Sequence, residues 1–171
     1  MDDLTRRARA VRLAIFDVDG VLTDGTLFIG ARGEAFKAFN ILDGHGLKML
    51  REAGVATAIL SGRSHKAVDR RAKELSIDHV LQGRSDKLPE FEKLIKRLKL
   101  EAGACAFMGD DLPDLPVMRR CGLAVAVANA ADAVKSAAHY VTRASGGRGA
   151  VRELCELVLE AQGQLAARTA V

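Results

Sequence analysis

Short apolar runs at Val11–Phe16, Val55–Leu60, Cys105–Met108 and Leu123–Val127 each stop abruptly at polar or glycine-bearing residues. Their length and continuity predict buried strands. Between them lie helical patterns over Gly46–Ala53, closed by Gly54, over Ser64–Leu75 and Lys87–Leu98, and in a short segment opening at Pro113, since proline suits a first helical turn. This alternation predicts an α/β fold: a Rossmann-like, doubly wound parallel sheet with right-handed crossovers and helices on both faces. Ligands of such sheets gather at the carboxyl ends of the strands.

One segment interrupts the alternation. Thr26–Ile29 and Ala35–Phe39 are strand-like and flank Gly30-Ala31-Arg32-Gly33, which predicts a projecting β-hairpin over about residues 25–39. Ala150–Gln162 has a helical apolar face preceded by Ser145-Gly146-Gly147-Arg148-Gly149, and residues 164–171 have the composition of a mobile tail. No repeat and no long linker divides the chain, so residues 1–171 are expected to form one domain.

Composition narrows the function classes. An apolar fraction of 49% with 28% charged residues excludes disorder as the main state. Net charge is 26 − 22 = +4 with both signs interspersed, which suits a small anionic substrate. With no Trp and one Tyr there are few aromatics on which bases stack, so no nucleic-acid partner is expected. Three scattered cysteines point to a reducing compartment. The charged first ten residues hold no signal-peptide core, and no apolar run reaches membrane-spanning length, so a cytoplasmic protein without membrane attachment is expected.

The chemistry concentrates at predicted strand ends. Asp17-Val18-Asp19-Gly20 follows the first strand, and Asp110-Asp111 with Asp114 follows a later one. Converging carboxylates repel one another unless a hard cation lies among them, and such an oxygen-rich set suits Mg²⁺. A carboxylate beside Mg²⁺ can attack phosphorus, while a second carboxyl group two residues on serves as acid and then base. Ser61 and Lys87 are of the type that neutralises the transferring phosphoryl oxygens. Arg63 offers a planar fork for a substrate carboxylate. Arg148 and its glycines form either an anion-binding loop or a flexible connector. The four histidines lack metal-ligand spacing, and Cys105 reads as a small core residue.

In order, Asp17-Val18-Asp19-Gly20-Val21-Leu22-Thr23-Asp24, Ser61-Gly62-Arg63, Lys87 and Gly109-Asp110-Asp111 with Asp114 resemble the motifs of the haloacid dehalogenase superfamily. Phe39-Asn40, Asp43-Gly44, Gln82-Gly83 and the segment from Gly146 to Glu153 are similar to the capless phosphatases of 3-deoxy-D-manno-octulosonate (KDO) 8-phosphate, an intermediate of lipopolysaccharide biosynthesis. The resemblance implies Asp17 as nucleophile and Asp19 as acid and base. It places Mg²⁺ on Asp17, Asp110 and the main-chain carbonyl of Asp19, with Asp111 and Asp114 orienting those ligands. It assigns the phosphoryl group to Ser61 and Lys87; the candidate residues for the sugar acid are Arg63, Asn40, Asp43, Gly62 and Arg148. It further implies a homotetramer built through the hairpin, a neighbouring subunit covering each open site. The alternatives are a phosphatase of a nine-carbon sialic-acid-type 9-phosphate, which Arg63 disfavours, a receiver-like phospho-acceptor, which Asp19 and the order of the acidic clusters oppose, and a silent scaffold.

Overall fold

A computed structural model describes residues 1–169. In chain order the elements are α1 (Asp3–Ala10), β1 (Leu13–Phe16), β2 (Phe28–Gly30), β3 (Gly33–Phe36), α2 (Ile41–Glu52), β4 (Ala56–Leu60), α3 (Lys66–Leu75), β5 (His79–Leu81), α4 (Lys87–Leu98), β6 (Cys105–Gly109), α5 (Leu115–Met118), β7 (Leu123–Ala126), α6 (Asp132–Ala137), β8 (Tyr140–Val141), α7 (Ala150–Ala161) and α8 (Ala166–Thr169).

Six strands pair in the order β5-β4-β1-β6-β7-β8, every pair parallel, and helices flank them. The expected doubly wound α/β fold is present, with the hairpin β2-β3 as a separate antiparallel ribbon and no cap domain among the described residues. Strands β1, β6 and β7 are buried along their whole length, the reason their sequences read as unbroken apolar runs. From β1 the chain first builds outward through β4, then returns to β6 on the other side of β1. The crevice at that reversal lies between the carboxyl ends of β1, β4 and β6.

Helix α2 starts at Ile41, five residues before the pattern predicts. Asn40 caps it, accepting from the N–H groups of Leu42 (2.8 Å) and Asp43 (3.2 Å). Gly44 and Gly46 hide this first turn, because glycine disfavours helix interiors by about 1 kcal/mol. At Gly46 packing requires it: a Cβ would lie 3.2 Å from the Arg152 Cα of α7.

The hairpin strands are shorter and displaced relative to the pattern, with Gly30 paired to Gly33 around a two-residue turn at Ala31-Arg32. The start of the predicted tail is packed: the Gln164 N–H donates to Leu159 O (2.8 Å) and Leu165 rests on the core, after which residues 166–169 form a helical turn. Residues 170–171 of that tail lie outside the described residues. Among the described residues no helix is long and apolar enough to cross a membrane.

Candidate active site

Where β1 ends, the Asp17 N–H donates to Met108 O (3.1 Å), and the Asp17 carboxylate accepts from the Val18 N–H (2.7 Å). The chain then reverses through Gly20 at φ +87°, where a Cβ would collide with the Asp110 carboxylate. Glycine at this position therefore lets the acidic residues after β1 and β6 close on one another. Opposite them Lys87, the first residue of α4, is buried with its Nζ 3.1 Å from Asp17 Oδ1 and 2.6 Å from Asp114 Oδ1. The second Asp114 oxygen accepts from the N–H groups of Asp110 (2.9 Å) and Asp111 (3.3 Å). Asp114 thereby fixes the lysine and the Asp110-Asp111 backbone together.

Ser61 is buried just after β4, its N–H bonded to Leu81 O (2.9 Å), with Gly62 and Arg63 continuing along the rim. A cleft of about 370 Å³ brings together Asp17, Asp19, Ser61, Gly62, Arg63, Lys87, Asp110, Asp111 and Asp114. These residues come from three strand ends and one helix start.

The site carries more negative charge than Lys87 balances. Burial and the Asp114 charge push the Asp17 carboxyl up to about 6, and burial with the charges of Asp17, Asp114 and Asp111 pushes Asp110 up to about 7. Burial opposes the Lys87 ammonium, yet the carboxylates of Asp17 and Asp114 outweigh it and raise its pKa above the ordinary lysine value. Asp17, Asp110 and Asp114 each bring an oxygen within 4.8 Å of the others, which fits a hard divalent cation. Because Asp114 already accepts from Lys87 and two amides, Asp17 and Asp110 are the carboxylates left to hold it.

Three expected substrate residues lie outside the cleft. Asp43 is buried and accepts from the N–H groups of Gly149 (3.3 Å) and Arg152 (2.9 Å), so its carboxylate docks the amino end of α7. Asn40 is occupied as the α2 cap. Arg148 is largely exposed and pairs with Asp24 at 3.2 Å, while its loop lies against the loop after β1: Gly147 N–H donates to Val21 O (2.8 Å).

Conversely, the cleft contains Gly25 and Ser85, and Lys37 and Glu34 adjoin it, none of which the motifs marked. Lys37 pairs with Asp19, and Glu34 lies 2.8 Å from Arg63 Nη2. The charged pair Glu34 and Lys37 within the predicted hairpin was the available clue.

The family description for haloacid dehalogenase-like hydrolases matches residues 79–154, the stretch supplying Lys87, Asp110, Asp111 and Asp114, and the fold and carboxylate-lysine cleft place the chain in that class. It is 48% identical over 168 residues to the 3-deoxy-D-manno-octulosonate 8-phosphate phosphatase of Yersinia pestis, covering 98% of this chain and 90% of that one. The chain belongs to the family of 3-deoxy-D-manno-octulosonate 8-phosphate phosphatases. Its structure is similar to that of the Moraxella catarrhalis phosphatase in complex with magnesium, phosphate and KDO, with TM-score 0.97, 44% identity, and 99% and 98% of the two chains covered. It is also similar to the cobalt-bound Haemophilus influenzae enzyme, with TM-score 0.93, 40% identity, and 96% of each chain covered.

Proposed function

We propose that this chain is a Mg²⁺-dependent phosphatase that hydrolyses KDO 8-phosphate to KDO and inorganic phosphate, in lipopolysaccharide biosynthesis. The observation that carries the reading is the Asp17 carboxylate at the end of β1, 3.1 Å from the buried Lys87 ammonium, in a cleft shared with Asp19, Ser61 and Asp110. An Asp17 oxygen attacks phosphorus while Asp19 gives a proton to the departing sugar oxygen, leaving an aspartyl-phosphate. Water then attacks that phosphorus, Asp19 takes its proton, and the bond from phosphorus to Asp17 breaks to free phosphate. Ser61 and Lys87 hold the non-bridging oxygens throughout. Mg²⁺, held by Asp17, Asp110 and the Asp19 carbonyl, supplies neutralisation of the phosphoryl charge. Asp111 and Asp114 orient these groups, and Arg63, with Gly62 beside it, meets the sugar acid's carboxylate.

The chain works as one domain in the cytoplasm, a reading supported by its three buried free cysteines. The active form is a homotetramer built through the hairpin. In support, Leu27, Ile29 and Phe36 are exposed on the hairpin and Ile41 and Leu42 beside it, Ile29 at 67% and Ile41 at 80%. A two-stranded ribbon with such a surface gains stability by packing on copies of itself.

Phosphate release from KDO 8-phosphate and from a nine-carbon 9-phosphate, with Mg²⁺ or chelator, tests the reading. Mg²⁺-dependent release from the KDO ester, lost in Asp17→Asn, is expected; preference for the nine-carbon ester would reassign the substrate, and no release from either would reject the reading.

A further inference from the structure

Lys37 follows β3 on the hairpin, yet its side chain is only 2% exposed. Its Nζ pairs with Asp19 Oδ1 and lies 2.7 Å from Glu34 Oε1. The other Glu34 oxygen lies 2.8 Å from Arg63 Nη2, and Arg63 Nε lies 3.7 Å from Asp19 Oδ2. Four charges of alternating sign therefore close a ring: Asp19, Lys37, Glu34, Arg63 and back to Asp19. His65 Nε2, 3.1 Å from the Glu34 carbonyl oxygen, ties the same strand to the start of α3.

A buried ammonium is costly unless fully paired, and hairpin lysines ordinarily extend into water. This one is turned inward onto the carboxylate beside the nucleophile. We propose that Lys37 is a positioning residue, held by Glu34, that fixes the Asp19 carboxylate where it takes the proton of the water attacking the aspartyl-phosphate. In that step the water oxygen bonds to phosphorus, the bond from phosphorus to Asp17 breaks, and the water proton passes to Asp19. The inference rests on the phosphoenzyme reading above, and it gives the hairpin a role in the chemistry of its own subunit.

The test uses the full chain with Mg²⁺ and p-nitrophenyl phosphate, whose leaving group departs without a proton. In Lys37→Met, kcat should fall about a hundredfold while kcat/KM, which reports only the steps through phosphoenzyme formation, stays within about threefold. A burst of p-nitrophenol close to one per active site should then precede the slow turnover. Glu34→Gln, which leaves Lys37 and Asp19 in place, should show the same split in weaker form and decides the matter where Lys37→Met does not fold. Equal losses in kcat and kcat/KM would assign Lys37 a merely structural role, and a loss in kcat/KM alone would assign it to substrate binding. Either result, or no change, overturns the proposal. Absence of aryl and KDO ester turnover in the wild type would instead reject the phosphatase reading itself.

Discussion

At the scale of single residues, the site depends on how one buried ammonium is shared. Asp114 joins Lys87 to the amides of Asp110 and Asp111, so Asp114→Asn leaves the lysine with the charge of Asp17 alone. The variant weakens the charge-assisted bond to Lys87 and the acceptor for the two amides, and a loss of about 2 kcal/mol is expected, read from denaturant midpoints. The raised carboxyls of Asp17, to about 6, and Asp110, to about 7, have a second consequence. Between their unfolded value of 3.8 and these folded values the native state binds more protons than the unfolded chain, so their stability contribution falls as pH rises through that window. A divalent cation binds the deprotonated oxygens and relieves the repulsion. Added Mg²⁺ should therefore raise Tm clearly at about pH 8 and little at about pH 5; equal shifts at both would contradict this account of the acidic cluster. Apart from Lys87, which opens a helix, the motif residues were legible because they sit where an apolar strand stops, a pattern visible within a few positions. Asp43 and Lys37 were not, since the partners that decide their roles, the amino end of α7 and the loop after β1, are brought to them only by the fold.

At the scale of elements, two loops must approach more closely than side chains permit. A Cβ on Gly146 would collide with the backbone of Gly20, and one on Gly147 with that of Thr23 and Asp24. Gly146→Ala should thus displace the loop carrying Asp17 and Asp19, and displacement of reacting groups by about 1 Å costs on the order of a hundredfold in rate. Steady-state kcat checks this, and wild-type turnover in Gly146→Ala would mean that the two loops move independently. The four central strands were readable from sequence because burial on both faces leaves almost only apolar residues in them, Thr57 of β4 being a polar exception. Strands β5 and β8 at the sheet edges were missed, being three and two residues long and partly exposed, with no period to detect. Helix α1 was missed for a related reason: its surface is mostly polar, and only Ala8 is fully buried.

At the scale of the whole molecule, the cleft is built by one chain but left open, since no cap domain covers it among the described residues. The apolar residues exposed on the hairpin, with Phe28 stacked on Phe36 at 4.4 Å, support closure by assembly. Ile29→Asp places a charge in that surface and should convert the proposed tetramer to smaller species in light scattering, with loss of activity on KDO 8-phosphate. An unchanged mass would remove the hairpin from the interface. The central claim, a phosphoryl group carried covalently by Asp17, is tested most directly by mixing the enzyme with Mg²⁺ and KDO 8-phosphate, quenching in acid during turnover, and weighing the peptides. The account predicts one phosphoryl group on the peptide containing Asp17, absent with chelator and in Asp17→Asn. Continued turnover by Asp17→Asn, or a phosphoryl group found on another residue, would contradict it.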